Sequence, residues 1–382
     1  MRRLTVSPRQ DWQEKVAKSG LVYHSPADPA TGKPVPYWDE SAYYLFSSAE
    51  VDKLEKATND LQEMCLAAGQ HIIDKNRFAE LNIPEKAIPA IKQMWESEPP
   101  AIYGRFDLAY DGTGAPKLLE YNADTPTSLV EAAVIQWEWL EECFPGSDQF
   151  NSIHEKLIAK WKELKQYVSA PVYFAALDDM EDLITTTYMQ DTAQQAGHKT
   201  QQILIPEIGW DAGKGCFVDL DMRMMNTIFK LYPWEMMLND EFGMHVIETT
   251  GLVQWMEPIW KMMFSNKGLL AILWELYPGH ENLLEAHLGD PGSLTEYVKK
   301  PLLGREGANI TLNTNAGETS TPGPYGGGKF VYQAVAPIPQ MGGRYPVLGS
   351  WVIDQESAGI GIRESAGMIT DNLSRFVPHR FE

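Results

Sequence analysis

Residues 102–110, Ile-Tyr-Gly-Arg-Phe-Asp-Leu-Ala-Tyr, alternate as a strand does, and Asp111-Gly112-Thr113-Gly114 separates them from a second strand-like run over 116–122. A hairpin fixes which side chains meet, because residues two apart share a sheet face. Arg105 and Asp107 share one face of the first strand, and Glu120 and Asn122 share one face of the second. Closing the hairpin with Gly112 opposite Ala115 sets Asp107 across from Glu120 and Arg105 across from Asn122. Carboxylates directly opposite each other repel, so a stable arrangement needs something between them. A hard divalent cation takes such oxygens, and Mg²⁺ usually brings phosphates to complete its shell. An ordinary solvated hairpin, with Arg105 neutralising Asp107, accounts for the same residues, and the hairpin alone does not choose between the two.

The rest of the chain bears on that choice. With 382 residues, 44% of them hydrophobic, and 12 Trp, 16 Tyr and 13 Phe, it is no disordered chain and has room for one large or two to three ordinary domains. A formal net charge of −20 argues against nucleic acid or an anionic membrane surface as partner and suits a cationic amine. Cys65, Cys143 and Cys216 are widely separated, which makes neither a disulfide framework nor a metal cluster and fits a reducing compartment. Met-Arg-Arg-Leu-Thr-Val-Ser-Pro-Arg has no apolar run behind it, and no stretch of about 18 apolar residues occurs. The expectation is a soluble, cytoplasmic α/β protein.

Along the chain, Ser47 and Glu50 form a capping-box pair ahead of a helical stripe, Val51, Leu54, Ala57, Leu61, Met64 and Ala68, with Cys65 beside it as a core residue. A second helix is expected from Pro84 to about Ser97. After the hairpin, Thr125 and Thr127 precede a helix over 128–143, where hydroxyls and free N–H groups suit an anion, or simply cap the helix. Strands at 171–177, 200–205 and 227–231 alternate with a helix at 182–196. The acidic run Asp178-Asp179-Met180-Glu181-Asp182 lies at a strand's carboxyl end, the usual place for ligands in open α/β sheets, though a solvated helix start explains Glu181 and Asp182 as readily. Lys267 opens a strongly apolar helix, where a lysine opposes the helix dipole; it either serves an anion or is an exposed helix-end residue. From 295 onward the pattern is strand and turn: 297–302 with Lys300, a glycine-bracketed turn over 303–309, a strand at 330–335, and a closing hairpin over 346–363. Such a turn lets backbone N–H groups approach phosphates, but it matches neither the Walker pattern nor the dinucleotide fingerprint.

Taken in order, Arg-Phe-Asp at 105–107, Leu-Leu-Glu-Tyr-Asn-Ala-Asp at 118–124, Glu-Pro-Ile-Trp at 257–260, Asn-Lys at 266–267, Lys-Pro at 300–301, Gly-Arg-Glu-Gly-Ala-Asn at 304–309 and Tyr-Gln at 332–333 resemble the synthetase domain of the glutathionylspermidine synthase family. The resemblance covers nearly the whole chain and is to the short, stand-alone members that lack a separate amidase domain. It implies an ATP-grasp fold: one synthetase unit with a mostly helical part at 1–100, a hairpin with the metal site plus an α/β substrate part at 101–260, and an ATP-binding lobe at 261–382.

The resemblance also implies an acid–amine ligase using ATP and Mg²⁺. Asp107, Glu120 and Asn122 would hold the metal against the phosphates. Arg105 and Arg363 would face the transferring phosphoryl group, with Arg105 stabilising the acyl phosphate and its tetrahedral successor. Lys267 and Lys300 would bind ATP phosphates beneath Glu306 and Gly307, and Gln333, Ala334 and Val335 would hold adenine. Thr125 and Thr127 stand where the family places serines that contact the acid, and Glu181 and Asp182 fall near the residues that receive the amine. The loop at 304–309 carries Glu306, where bifunctional members differ. Such chemistry needs charge neutralisation and positioning more than a protein nucleophile. A nucleotide-binding regulatory protein of the same fold, and a carboxylate kinase that stops at the acyl phosphate, are the alternatives. The sequence carries no sign of oligomeric state.

Overall fold

In the computed structural model, residues 1–28, 31–370 and 374–382 are described. The hairpin strands Tyr103–Ala109 and Lys117–Asn122 form one edge of a five-stranded antiparallel sheet, continued by Tyr345–Ile353, Glu356–Ser365 and Arg375–Val377. Arg105 pairs with Asn122 and Asp107 with Glu120, as the alternation requires. Between Asp107 and Leu108 a bulge shifts the ladder, so that Leu108 meets Leu118 and the turn-side half is offset by one residue. The pairing next to the turn therefore differs from simple closure at Gly112 and Ala115, and the bulge restores the functional pairs. At the turn the Asp111 carboxylate accepts from the N–H groups of Thr113 and Gly114 at 2.7 and 2.8 Å, and Gly112 takes φ +86°.

The two faces of this sheet have opposite chemistry. Phe106, Leu108, Leu118, Tyr121, Leu348, Ile360 and Ile362 join the apolar cluster that also contains Leu54, Leu61 and Cys65 of the long helix Ser48–Asp74. That helix starts with the expected reciprocal cap: Ser47 Oγ accepts from Glu50 N at 3.4 Å, and Glu50 Oε2 from Ser47 N at 2.9 Å. Phe106 and Tyr121 stack with ring centroids 3.9 Å apart, so the side opposite the charges is filled with ring surface. The other face carries Arg105, Asp107, Glu120, Asn122 and Arg363. Gly349 is paired with both Asp107 and Gly361, and a Cβ on Gly349 would lie 2.8 Å from Arg105 Cδ; a side chain there would displace the guanidinium.

Three of the other four sheets among the described residues frame it. A second five-stranded antiparallel sheet, in the order 286–288, 330–334, 297–301, 311–314 and 317–320, presents Lys300 and Gln333. A parallel sheet, in the order 254–256, 227–231, 172–176 and 200–204, has the helix Met180–Gln195 as a crossover, the βαβ arrangement the alternation predicts. The strands Arg2–Thr5, Ala42–Phe46 and His379–Phe381 form a small sheet that brings the two ends of the chain together. Strands on either side of residue 260 thus share the central sheet. No helix among the described residues is long and apolar enough to cross a membrane.

A buried charge pair pins the first hairpin strand to the parallel sheet. Glu257, fully buried, accepts from the N–H groups of Ile102 at 3.0 Å and Tyr103 at 3.3 Å. Its carboxylate is paired with Lys261 at 2.5 Å, and Lys261 Nζ donates to Tyr103 O at 2.6 Å. Removing the carboxylate leaves Lys261 without its counter-charge and two strand N–H groups unsatisfied. Glu257→Ala is therefore expected to cost about 3–5 kcal/mol in urea unfolding; a loss below about 1 kcal/mol, the scale of an exposed pair, would refute this anchoring role.

Candidate active site

A cavity of about 760 Å³ is bordered by both five-stranded sheets and by the carboxyl ends of the parallel strands at Leu177 and Leu231. The volume is in the range of small-ligand sites. Every residue to which the family resemblance gives a site role borders it: Arg105, Asp107, Glu120, Asn122, Thr125, Thr127, Glu181, Asp182, Lys267, Lys300, Glu306, Gly307, Gln333, Ala334, Val335 and Arg363.

At its centre Asp107 lies between two guanidiniums. Its Oδ1 accepts from Arg105 Nε at 2.8 Å and its Oδ2 from Arg363 Nη2 at 2.5 Å. Across the ladder, Glu120 Oε2 meets Lys267 Nζ at 2.9 Å, and Oε1 accepts from Asn122 Nδ2 at 3.1 Å. The hairpin's facing carboxylates are thus separated by cations, which is how the expected like-charge repulsion is resolved. Burial alone would raise the Glu120 carboxyl, but Lys267 and Lys300 outweigh it and hold the group well below the usual range. Burial pushes the Lys300 ammonium down to about 8, against the pull of Glu120. Lys300 Nζ donates to Gln333 Oε1 at 2.7 Å and to Leu119 O at 2.9 Å, while Gln333 Nε2 donates to Leu118 O at 2.8 Å.

These donors suit a hard cation and polyphosphate. Two carboxylates and a carboxamide oxygen are too few to enclose Mg²⁺, which completes its shell with phosphate oxygens and water. Among the described residues no group of three or more His, Cys, Asp or Glu could hold a metal by itself. Lys267 is buried rather than exposed at a helix end; it precedes the helix Leu269–Leu276 and donates to Gly304 O at 2.6 Å, beneath the glycine-bracketed turn. In that turn Gly307 has φ +69°, and a Cβ would fall 2.3 Å from Thr370 O, so only glycine fits. The Ala334 N–H donates to Glu285 O at 2.8 Å.

The helix-start residues are arranged more specifically than capping. Thr125 Oγ1 accepts from Arg305 Nη1 at 3.2 Å, and the Thr127 carbonyl accepts from Arg105 Nη1 at 2.7 Å. The cap of the helix at Met180 is Asp179, whose carboxylate accepts from the N–H groups of Glu181 at 3.0 Å and Asp182 at 3.4 Å. Asp182 is accordingly not a solvated cap. Burial, then Asp179 and Glu181, raises it to about 7.

Several residues were missed in the sequence. Arg305, inside the Gly-Arg-Glu-Gly motif, crosses from the loop to Thr125 and to Glu235 Oε1 at 3.0 Å, and its motif position was the available signal. Asp124 is buried, pairs with Lys230 at 2.6 Å and accepts from Trp234 N at 3.0 Å, which fixes the turn that carries both threonines. Tyr23, Tyr37 and Ser128 also border the cavity, and no local pattern marks them.

Known proteins resemble the chain along its length. A sequence model described as "Glutathionylspermidine synthase preATP-grasp" matches residues 3–382. The chain is 39% identical, over the whole of both chains, to a Haemophilus influenzae protein named "Putative acid--amine ligase". It is 28% identical to the trypanothione synthetase of Crithidia fasciculata, with 83% of this chain and 53% of that one aligned. It is also 28% identical to the bifunctional glutathionylspermidine synthetase/amidase of Escherichia coli, with 89% of this chain and 59% of that one aligned. It thus spans little more than half the length of those two relatives.

The depressed Lys300 gives a signed pH dependence. Below about pH 8 the ammonium is charged in both folded and unfolded chains, and its burial penalty is fully present. Between that value and the ordinary 10.5 the unfolded chain holds a proton the folded one has released, so stability rises with pH. Wild type should gain about 2–3 kcal/mol relative to Lys300→Met between the two ends of this window in urea unfolding. A constant difference between the two proteins would show that Lys300 titrates normally.

Proposed function

The chain belongs to the glutathionylspermidine synthase family of ligases, with its α/β, ATP-grasp-type fold, and we propose that it joins the carboxylate of a peptide-like acid, glutathione or another, to a polyamine-like amine at the expense of ATP. The observation that carries this reading is the alternation of cations and carboxylates around Asp107 and Glu120, on one face of one cavity. Held by Asp107, Glu120 and Asn122, Mg²⁺ would supply charge neutralisation across the phosphates. Lys267 and Lys300 bind phosphate oxygens from below, while Glu306 and Gly307 belong to the loop that covers them. Gln333 orders Lys300, and with Ala334 and Val335 it forms the adenine end.

Arg105 and Arg363 bind the transferring phosphoryl group, turning from Asp107 toward the charge that develops as the acid's carboxylate attacks the γ-phosphorus. This gives an acyl phosphate, whose carbonyl carbon the amine then attacks, releasing phosphate and leaving an amide. Preorganised cations suffice for the first step, and no protein nucleophile is required. Thr125 and Thr127 contact the acid beside Arg105. Glu181 and Asp182 receive the amine as a cation, in a chain whose formal charge of −20 draws such ligands inward.

Arg105→Ala is expected to lower ATP-dependent amide formation by about 10²–10³-fold, and Glu120→Gln to lower it comparably. Both are read as phosphate release and amide mass in a panel of acids and amines. Near-wild-type ligation by both variants would sink the assignment. Tight Mg-ATP binding with no turnover across the panel would instead favour a nucleotide-binding regulatory protein.

A further inference from the structure

The roles above leave one wall of the cavity unused. Tyr23 and Tyr37 border it with ring centroids 5.0 Å apart, and Phe376 lies 5.2 Å beyond Tyr37. Both tyrosine hydroxyls donate to the same oxygen, Glu131 Oε1, at 2.9 and 2.8 Å. Glu131 is 1% exposed and lies behind the rings, so from the cavity it is reached through the tyrosine oxygens. It opens the π-helical turn Glu131–Ile135, a wide-pitch form common at functional sites.

What sets Glu131 apart is its lack of a cation. Among the described residues the other buried carboxylates each pair with a lysine or arginine: Asp39, Glu40, Asp107, Asp124, Asp219, Glu257 and Glu364. Glu131 has only neutral donors, its own backbone N–H and the two tyrosine hydroxyls. A buried carboxyl so placed is not committed to one charge. The titratable groups facing it are Tyr23, Tyr37 and Glu181, and burial with Glu181 raises it to about 7. Ser128, beside Tyr37, follows Thr127, whose carbonyl takes Arg105, so the wall adjoins the proposed reaction centre.

Resting on the ligase reading, we propose that Glu131 accepts, through Tyr23 or Tyr37, the proton that the amine must lose before it attacks the acyl phosphate. The alkylammonium gives a proton to the tyrosine oxygen as that tyrosine gives its own to Glu131 Oε1. The freed nitrogen lone pair forms the C–N bond, and the C–O bond to phosphate breaks with its electron pair leaving on phosphate. The second nitrogen proton goes to the departing phosphate, and Glu131 returns its proton to solvent after release. Asp182 differs in kind: it lies beside Asp179, Glu181 and the cation Arg305, where it meets the ammonium directly.

The test compares two acceptors on the intact protein. An alkyl polyamine is protonated at neutral pH, whereas hydroxylamine is a much weaker base and is already free there. Glu131→Gln keeps an oxygen for the tyrosines but cannot take a proton. It should lose about 10²-fold in kcat with the polyamine and less than ~3-fold in hydroxamate formation, with KM for ATP unchanged. The polyamine deficit should shrink from about pH 7 to about pH 9 as free amine grows, and the Tyr23→Phe, Tyr37→Phe double variant should show the same split. An equal loss with both acceptors, no loss with the polyamine, or a higher amine KM at unchanged kcat would overturn the proposal. So would the selective loss arising in Asp182→Asn instead of Glu131→Gln. Absence of hydroxamate from wild type with every acid would overturn the ligase reading itself, and this inference with it.

Discussion

The central constraint is the placing of one carboxylate, Asp107, between two guanidiniums on a sheet whose opposite face is hydrocarbon. Arg105 and Arg363 cannot approach each other without it, and Asp107 cannot face Glu120 without them. The cluster needs a flat approach from the neighbouring strands, which the paired Gly349 and Gly361 allow. It also needs the bulge at Asp107–Leu108 to keep the charged residues in register while the turn runs one position out. Stacked Phe106 and Tyr121 hold the reverse side, so backbone placement is set by apolar packing and the charges only have to satisfy one another.

Pairing of buried charge runs through the molecule. Such pairs are costly to desolvate and add little net stability, but they are very costly to break, so they fix geometry. Glu257–Lys261 ties the central sheet to the parallel one, Asp124–Lys230 ties down the turn that carries Thr125 and Thr127, and Glu120–Lys267 ties the hairpin to the glycine-bracketed loop. The cavity's walls are positioned by these links, with the loop residue Arg305 closing the circuit at Thr125 and Glu235.

Much of this was legible from residues. The hairpin's alternation, the Ser47–Glu50 cap and the βαβ spacing are local patterns, and local patterns survive in sequence. Lys267 was legible because it violates a local rule, a cation at the start of an apolar helix, and such violations mark sites. What could not be read was anything that depends on tertiary neighbours. The bulge at Asp107–Leu108 has no signal in the alternation of residues 102–110. Tyr23 and Tyr37 lie 108 and 94 positions from Glu131 and meet it only after folding. Asp179, not its acidic neighbours, proved to be the helix cap, a distinction of backbone geometry that a run of acids conceals.

The long separation between Asp107 and Arg363, 256 positions, has a consequence for the nascent chain. At ribosomal rates of ~5–20 residues per second, the hairpin emerges on the order of 10–50 s before its arginine. Through that interval the strand Tyr103–Ala109 lacks its later neighbour Tyr345–Ile353 and presents an open edge, while the helix Ser48–Asp74, already synthesised, is available to cover its apolar face. Charged side chains on the uncovered face are of the kind that keeps an unfinished sheet edge from pairing with its copies, and the last third of the chain brings Lys267 and Arg363 to complete the cluster that Arg105 and Asp107 begin.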